Sequence, residues 1–270
     1  MHSRVSVSAI CSRNWSFDED LAFYARAGIT NVGLAWAKVA EHDSAEVVGR
    51  VREAGLRVTN LIAIAGHVLD DTSSWPACQA LLDNAIDLAA RVDAPCVVVT
   101  SGRPGRLSWE AAADAFATAI APSAQRARDL GVRIAIEHTN SLRVDLSFVH
   151  SLRDAVALAD RLDLSVCMEC NTCWVERGVD DTIAAGIGRI ALVQVSDFVV
   201  GTLGTPDRVV PGDGDIPLGR LLDAIVGAGY DGVYDLELIG PRIDDEGYDS
   251  VIPRAVAALG GLLTAAGVSA

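Results

Sequence analysis

Aromatic residues make up only 5% of this 270-residue chain, and basic residues are scarce as well: 22 Lys plus Arg stand against 36 Asp plus Glu, a net charge of −14. The first shortage argues against an aromatic-rich β-sandwich. The second argues against nucleic acid and anionic membrane surfaces as partners, since a strongly acidic surface repels phosphates. No apolar run reaches 18 residues, and Arg4 and Arg13 interrupt the start of the chain, so neither a membrane span nor a secretory leader is expected. Cysteine is also sparse. Residues 11, 78, 96, 167, 170 and 173 sit in apolar settings that suit reduced thiols better than a disulfide framework. The expectation is a cytoplasmic protein acting on a small molecule, with a homo-oligomer open.

What is present is alanine, valine and leucine in a repeated theme of apolar run, polar break and longer helical pattern. Eight runs stand out: Val5–Ile10, Asn31–Trp36, Val58–Ile64, Cys96–Thr100, Arg133–Glu137, Leu164–Glu169, Ala191–Asp197 and Gly232–Leu238. Most are near-continuous in apolar residues, as parallel strands covered on both faces require. Helix starts fall between them. Ser16-Phe-Asp-Glu19 has the capping-box pattern, Ser108 opens a stretch to about Leu130, Ser147 one to about Leu162, and Pro217 one to Ala228. Gly28, Gly55, Gly131 and Gly229 precede strands where a left-handed stop is wanted. This alternation over a length typical of an eight-stranded α/β barrel gives a single (β/α)8 domain over residues 1–270, a TIM barrel, with an open doubly wound sheet as the alternative.

In such a barrel the C-terminal strand ends share the face that carries chemistry. Four consecutive runs there deliver oxygen donors: Glu137, Glu169, Gln194 and Glu237. Taken singly, each reads equally well as a solvated strand-end group. Together, three carboxylates and an amide form a reasonable site for a hard divalent ion such as Mn2+ or Mg2+, and a poor one for zinc or copper.

These residues resemble the sugar isomerase and epimerase group of xylose isomerase-like barrels, with motifs most similar to hydroxypyruvate isomerases. Glu137-His-Thr-Asn140 corresponds to that family's Glu-x-x-Asn. Gln194-Val-Ser-Asp197, followed by Arg208, Pro211-Gly212 and Gly214-Asp-Ile216, corresponds to its seventh-strand pattern, and Glu237 to its eighth-strand glutamate. The sixth strand departs from the pattern: Asp-x-x-His becomes Glu169-Cys-Asn-Thr172, one methylene longer at the ligand and without a histidine that commonly contacts substrate oxygen. The resemblance implies a metal-dependent isomerase or epimerase of a small hydroxy-carbonyl compound, a sugar or hydroxy-keto acid, with Glu137 and Glu237 as acid-base pair. It further implies an enediolate intermediate and substrate contacts from Arg208, Asn140 and Asp197. A lyase or dehydratase using the same intermediate, and a non-catalytic sugar-binding subunit, are the other readings.

Lesser candidates surround this set. His67 reads as a substrate contact or an exposed loop residue, and His138, turned away by strand alternation, as structural. Arg143, like Arg208, could hold an anionic group by a bidentate fork. Trp15 and Trp36 either wall the pocket or pack loops. The spacing Cys167-x-x-Cys170-x-x-Cys173 suggests a thiolate cluster, but alternation along a strand places Cys167 with Glu169 and turns Cys170 away.

Overall fold

A computed structural model describes residues 1–269 and shows a closed barrel of eight parallel strands in the order of the sequence. The strands are β1 (Val5–Ser8), β2 (Asn31–Ala35), β3 (Arg57–Ile62), β4 (Cys96–Thr100), β5 (Arg133–Glu137), β6 (Ser165–Glu169), β7 (Ile190–Val195) and β8 (Tyr234–Leu236). Every expected apolar run supplies one. β8 closes on β1 through the register pairs Val5 with Tyr234 and Val7 with Leu236, which excludes the open sheet.

Side-chain alternation then divides the core in two. Val97, Val99, Ile134 and Ile136 face outward into the large layer between strands and helices. Val98, Ala135, Cys167 and Leu192 face inward and fill the barrel itself. The inward set is small because eight strands leave little interior room. On β2, a Cβ at Gly33 would stand 2.7 Å from Asn60 Nδ2, so glycine is what admits Asn60 to the barrel.

The helices cover the outside. Phe17–Ala27 is capped as expected: Ser16 accepts from Glu19 N, and the Glu19 carboxylate takes Ser16 N. Ser108 caps Trp109–Asp129, and Leu218–Gly227 matches the stretch after Pro217. Gly28, Gly55, Gly131 and Gly229 all have positive φ. The expected start at Ser147 is corrected: the helix is Leu152–Leu162, capped by Ser151. The Ser147 hydroxyl instead lies 2.6 Å from that of Ser101, which also accepts from Phe148 N and Val149 N. These bonds hold residues 138–150 as a loop on the barrel rim. No helix among the described residues is long and apolar enough to cross a membrane.

Candidate active site at the C-terminal mouth of the barrel

Glu137 and Glu169 are the last residues of β5 and β6, Gln194 is the penultimate residue of β7, and Glu237 follows β8 directly. All four share the inward face, two residues beyond Ala135, Cys167, Leu192 and Asp235. Parallel pairing sets Glu169 beside Gln194, and Gln194 beside Asp235. Glu137, Glu169 and Glu237 each bring a carboxylate oxygen within 4.8 Å of the other two. All three are buried.

Arg208 enters this cluster from the loop after β7. Its Nη1 lies 2.8 Å from Glu169 Oε2, donates to Glu237 Oε2, and also donates to the Glu237 carbonyl at 2.8 Å. The loop is held by Asp197, whose carboxylate accepts from Phe198 N and Gly212 N at 2.8 Å and from Ile216 N at 3.0 Å. Gly214 packs so closely that a Cβ would stand 2.4 Å from Asp197 Oδ1. Asp197 and Val209 also exchange backbone bonds, and Arg208 N donates to Ile239 O. The arginine is therefore delivered by a tied-down segment.

Burial raises the pKa of Glu137 well above the ordinary carboxylate value, and the charges of Glu237 and Glu169 raise it further. Burial also pushes Glu169 up, to about 8, against the lowering pull of Arg208. For Arg208 burial acts to lower the pKa, but Glu169, Glu237 and Glu137 outweigh it and keep the guanidinium charged. Fully ionised, three carboxylates against one guanidinium leave two negative charges uncompensated, and in the metal-free cluster the raised Glu137 and Glu169 hold protons instead. A divalent cation supplies that difference, and three carboxylates with the Gln194 amide are the oxygen donors such an ion takes. The residues present thus fit a divalent metal. Arg208 meets part of the need for counter-charge that the sequence assigned wholly to an ion.

Gln194 is fully buried; its Oε1 accepts from Cys167 Sγ at 3.0 Å, while its Nε2 has no partner. A thiol is a weak donor, so the Gln194 carbonyl is only lightly engaged. His138 holds the cluster from behind, its Nε2 accepting from Glu169 N at 3.1 Å. Burial lowers its pKa to about 3, which keeps that nitrogen an acceptor. This fits the structural reading of His138.

The cluster opens into a cavity of about 210 Å³ whose wall includes Glu137, Glu237, Arg208, Asn140 and Arg143. Other expected residues are placed differently. Asp197 does not line the cavity; its carboxylate is filled by the three backbone donors. His67 also stays out of the wall, and it is not an exposed loop residue either: it is buried against Gly102, where a Cβ would stand 2.9 Å from its own. Arg143 reaches the wall but forks onto Asp145 through two 2.9 Å bonds, and Asn140 Oδ1 accepts from Leu142 N. Trp15 stacks edge-on against Phe23 and Tyr248, so it packs a loop, and Trp36 is absent from the wall. Cys170 and Cys173 belong to the outer core and Cys167 to the inner one, which removes the thiolate cluster; all six cysteines are free. Sequence reading missed the apolar wall of Ile62, Ile64, Leu142 and Leu203. Only the short apolar run that ends at Ile64 hinted at it.

The all-oxygen donor set on four adjacent strand ends of a closed parallel barrel defines a class, and comparison with known proteins places the chain in it. The description "xylose isomerase-like TIM barrel" matches residues 21–257, and the chain belongs to that family. It is 27% identical over 120 residues to an inosose isomerase of Halalkalibacterium halodurans, a match spanning 43% of each chain, less than half the length of that relative. Among solved structures it resembles protein SMc04130 of Sinorhizobium meliloti 1021, at 25% identity and a TM-score of 0.88, with 96% of this chain and 98% of that one covered. It also resembles the IolI protein, solved with a bound zinc atom, at 15% identity and a TM-score of 0.78, with 97% of each chain covered. The low identity of the last shows the fold alone.

Proposed function

We propose that the protein is a divalent-metal-dependent isomerase or epimerase of a small hydroxy-carbonyl compound. The observation that carries this reading is the convergence of Glu137, Glu169 and Glu237 within 4.8 Å, with Glu137 and Glu237 lining a cavity and Glu169 buried behind it. In it, Glu137, Glu169, Gln194 and Glu237 hold Mn2+ or Mg2+. An ion held there would supply Lewis-acid polarisation of the substrate's carbonyl and hydroxyl oxygens and so acidify the neighbouring C–H.

The chain's own residues do the rest. Glu137 and Glu237 face the substrate from the ends of β5 and β8, and one takes the proton from the hydroxyl-bearing carbon next to the carbonyl while the same or the other returns it. Arg208 holds the Glu237 carboxylate in one orientation and adds a fixed positive charge beside the enediolate as it forms. This use of Arg208 differs from clamping an anionic substrate group, because its Nη1 is already committed to Glu169 and Glu237. His138 fixes the backbone at Glu169 and so its side-chain direction.

Incubation of Mn2+-loaded protein with small ketoses and hydroxy ketones in deuterium oxide tests this reading. Deuterium is expected at the carbon next to the carbonyl, in recovered substrate and in product. Turnover with loss of water or of a substituent would instead reassign the same proton removal to a lyase, and absence of exchange on every compound would remove the reaction.

A further inference from the structure

The cavity wall is apolar where a free sugar would need hydrogen-bond partners. On the side of β1 and β3 it is formed by Ile10, Ile62 and Ile64, and across the opening stand Leu142, Phe198 and Leu203. Four polar side chains of the wall are engaged elsewhere: Asn140 and Arg143 as described above, Asn171 Nδ2 with the Asp197 carbonyl at 3.2 Å, and Thr202 Oγ1 with Arg242 at 3.3 Å, while Thr100, Thr172, Thr205 and Asp207 supply the polar part of the lining. A sugar hydroxyl laid against the six apolar side chains would lose water without gaining a partner from them.

The same residues leave apolar surface open at the rim. Leu203 is 91% exposed and Leu142 65%, with Val144 and Val200 exposed on the same two loops. Solvent-facing apolar residues gathered at one opening mark an interaction site. The opening leads to Glu137 and Glu237, so the occupant must come and go with each turnover; a permanently docked partner would seal the acids off.

We infer that the substrate is amphiphilic. Its hydroxy-carbonyl head lies at Glu137 and Glu237, and an alkyl or aryl substituent lies along Ile62, Ile64, Leu142 and Leu203. The inference rests on the reading of the site as one for hydroxy-carbonyl compounds, and it makes free polyhydroxylated sugars the poorer ligands.

The test is calorimetric binding to the full chain with Mn2+, using two four-carbon ketones with the same head group: 1-hydroxy-4-phenylbutan-2-one and erythrulose. The phenyl compound is expected to bind about tenfold more tightly, or better, since it buries apolar area that erythrulose lacks. Ile64→Ser and Leu142→Ser, at partly exposed positions that leave the fold intact, are each expected to narrow the ratio between the two ligands about threefold. Equal or tighter binding of erythrulose would overturn the inference, and so would failure of both to bind. Deuterium exchange on the same compounds reads the reaction separately: tight phenyl binding without exchange keeps the apolar wall and removes the isomerase.

Discussion

The two halves of the barrel mouth treat charge in opposite ways. Beside β1 and β2, Asp20 and Lys38 form one closed pair, 2.5 Å apart and almost fully buried, with Ser12 bonded to both. Beside β5 to β8, three carboxylates meet one guanidinium. Burial raises Asp20 to about 6 despite the attraction of Lys38, and burial lowers Lys38 despite the attraction of Asp20. Both shifts say that even the balanced pair is held out of water at a cost, which the surrounding packing covers. It follows that the unbalanced cluster would not persist in a fold for packing reasons alone. Matched charge is closed off from the cavity here, whereas two acids of the surplus cluster, Glu137 and Glu237, line it.

Breaking the balanced pair gives the largest expected effect. Lys38→Met leaves a buried unpaired carboxylate and is expected to lower unfolding free energy by about 3–5 kcal/mol, whereas Lys38→Met with Asp20→Leu recovers most of that loss. Denaturant titration of the single and double variants checks it. A single variant as stable as wild type would mean that the pair is hydrated in solution. The pair also sets a pH dependence: the Asp20 contribution is complete below its unfolded value near 3.8 and is lost as pH rises past about 6.

Next come Glu137→Gln and Glu237→Gln, each expected to lower turnover on the order of 10²-fold or more with the fold unchanged by circular dichroism. In contrast to the pair near β1, the Glu137 variant removes a group that resists ionising, so thermal stability without metal is expected to rise at alkaline pH, where Glu137 would otherwise have to lose its proton. Gln194→Ala is expected to weaken metal binding and to recover in part with excess ion. A Glu137→Gln enzyme with full turnover would take this residue out of the chemistry.

A smaller effect comes from pH on the metal-free protein. Because the folded value of Glu169 is about 8, above its ordinary 4.5, its contribution to stability is complete below about 4.5 and is lost as pH rises through 8. The thermal midpoint without metal should therefore fall between about pH 4.5 and 8, while affinity for Mn2+ rises over the same interval as bound protons are displaced less often. Calorimetry in buffers of different ionisation enthalpy reads the released protons. Arg208→Lys is expected to have the mildest effect, about tenfold in kcat/KM, since an ammonium keeps the charge but cannot span Glu169, the Glu237 carboxylate and the Glu237 carbonyl together. Unchanged kinetics would mean that charge alone matters there.

The eight strands and the direction of their acids were legible in the sequence by itself, because a parallel strand buried on both faces must be almost wholly apolar, and period-two alternation then sends Ala135 with Glu137 and Cys167 with Glu169 to one side. Ser16 and Ser108 were legible as caps because a hydroxyl before a helical pattern satisfies an orphan amide within three residues. Tertiary structure alone decided what lay farther apart. Ser147 had the same local look as Ser151, but its hydroxyl found Ser101, 46 residues away, and the chain stayed a loop. Asp197 stood at a strand end like Glu137 and Glu169, yet three backbone amides of its own loop claimed it. Arg208 meets Glu169 and Glu237 from 39 and 29 residues away, and the apolar wall joins Ile62 to Leu203 across the barrel; no local period encodes such pairings, which exist only once closure of β8 on β1 brings the loops to one mouth.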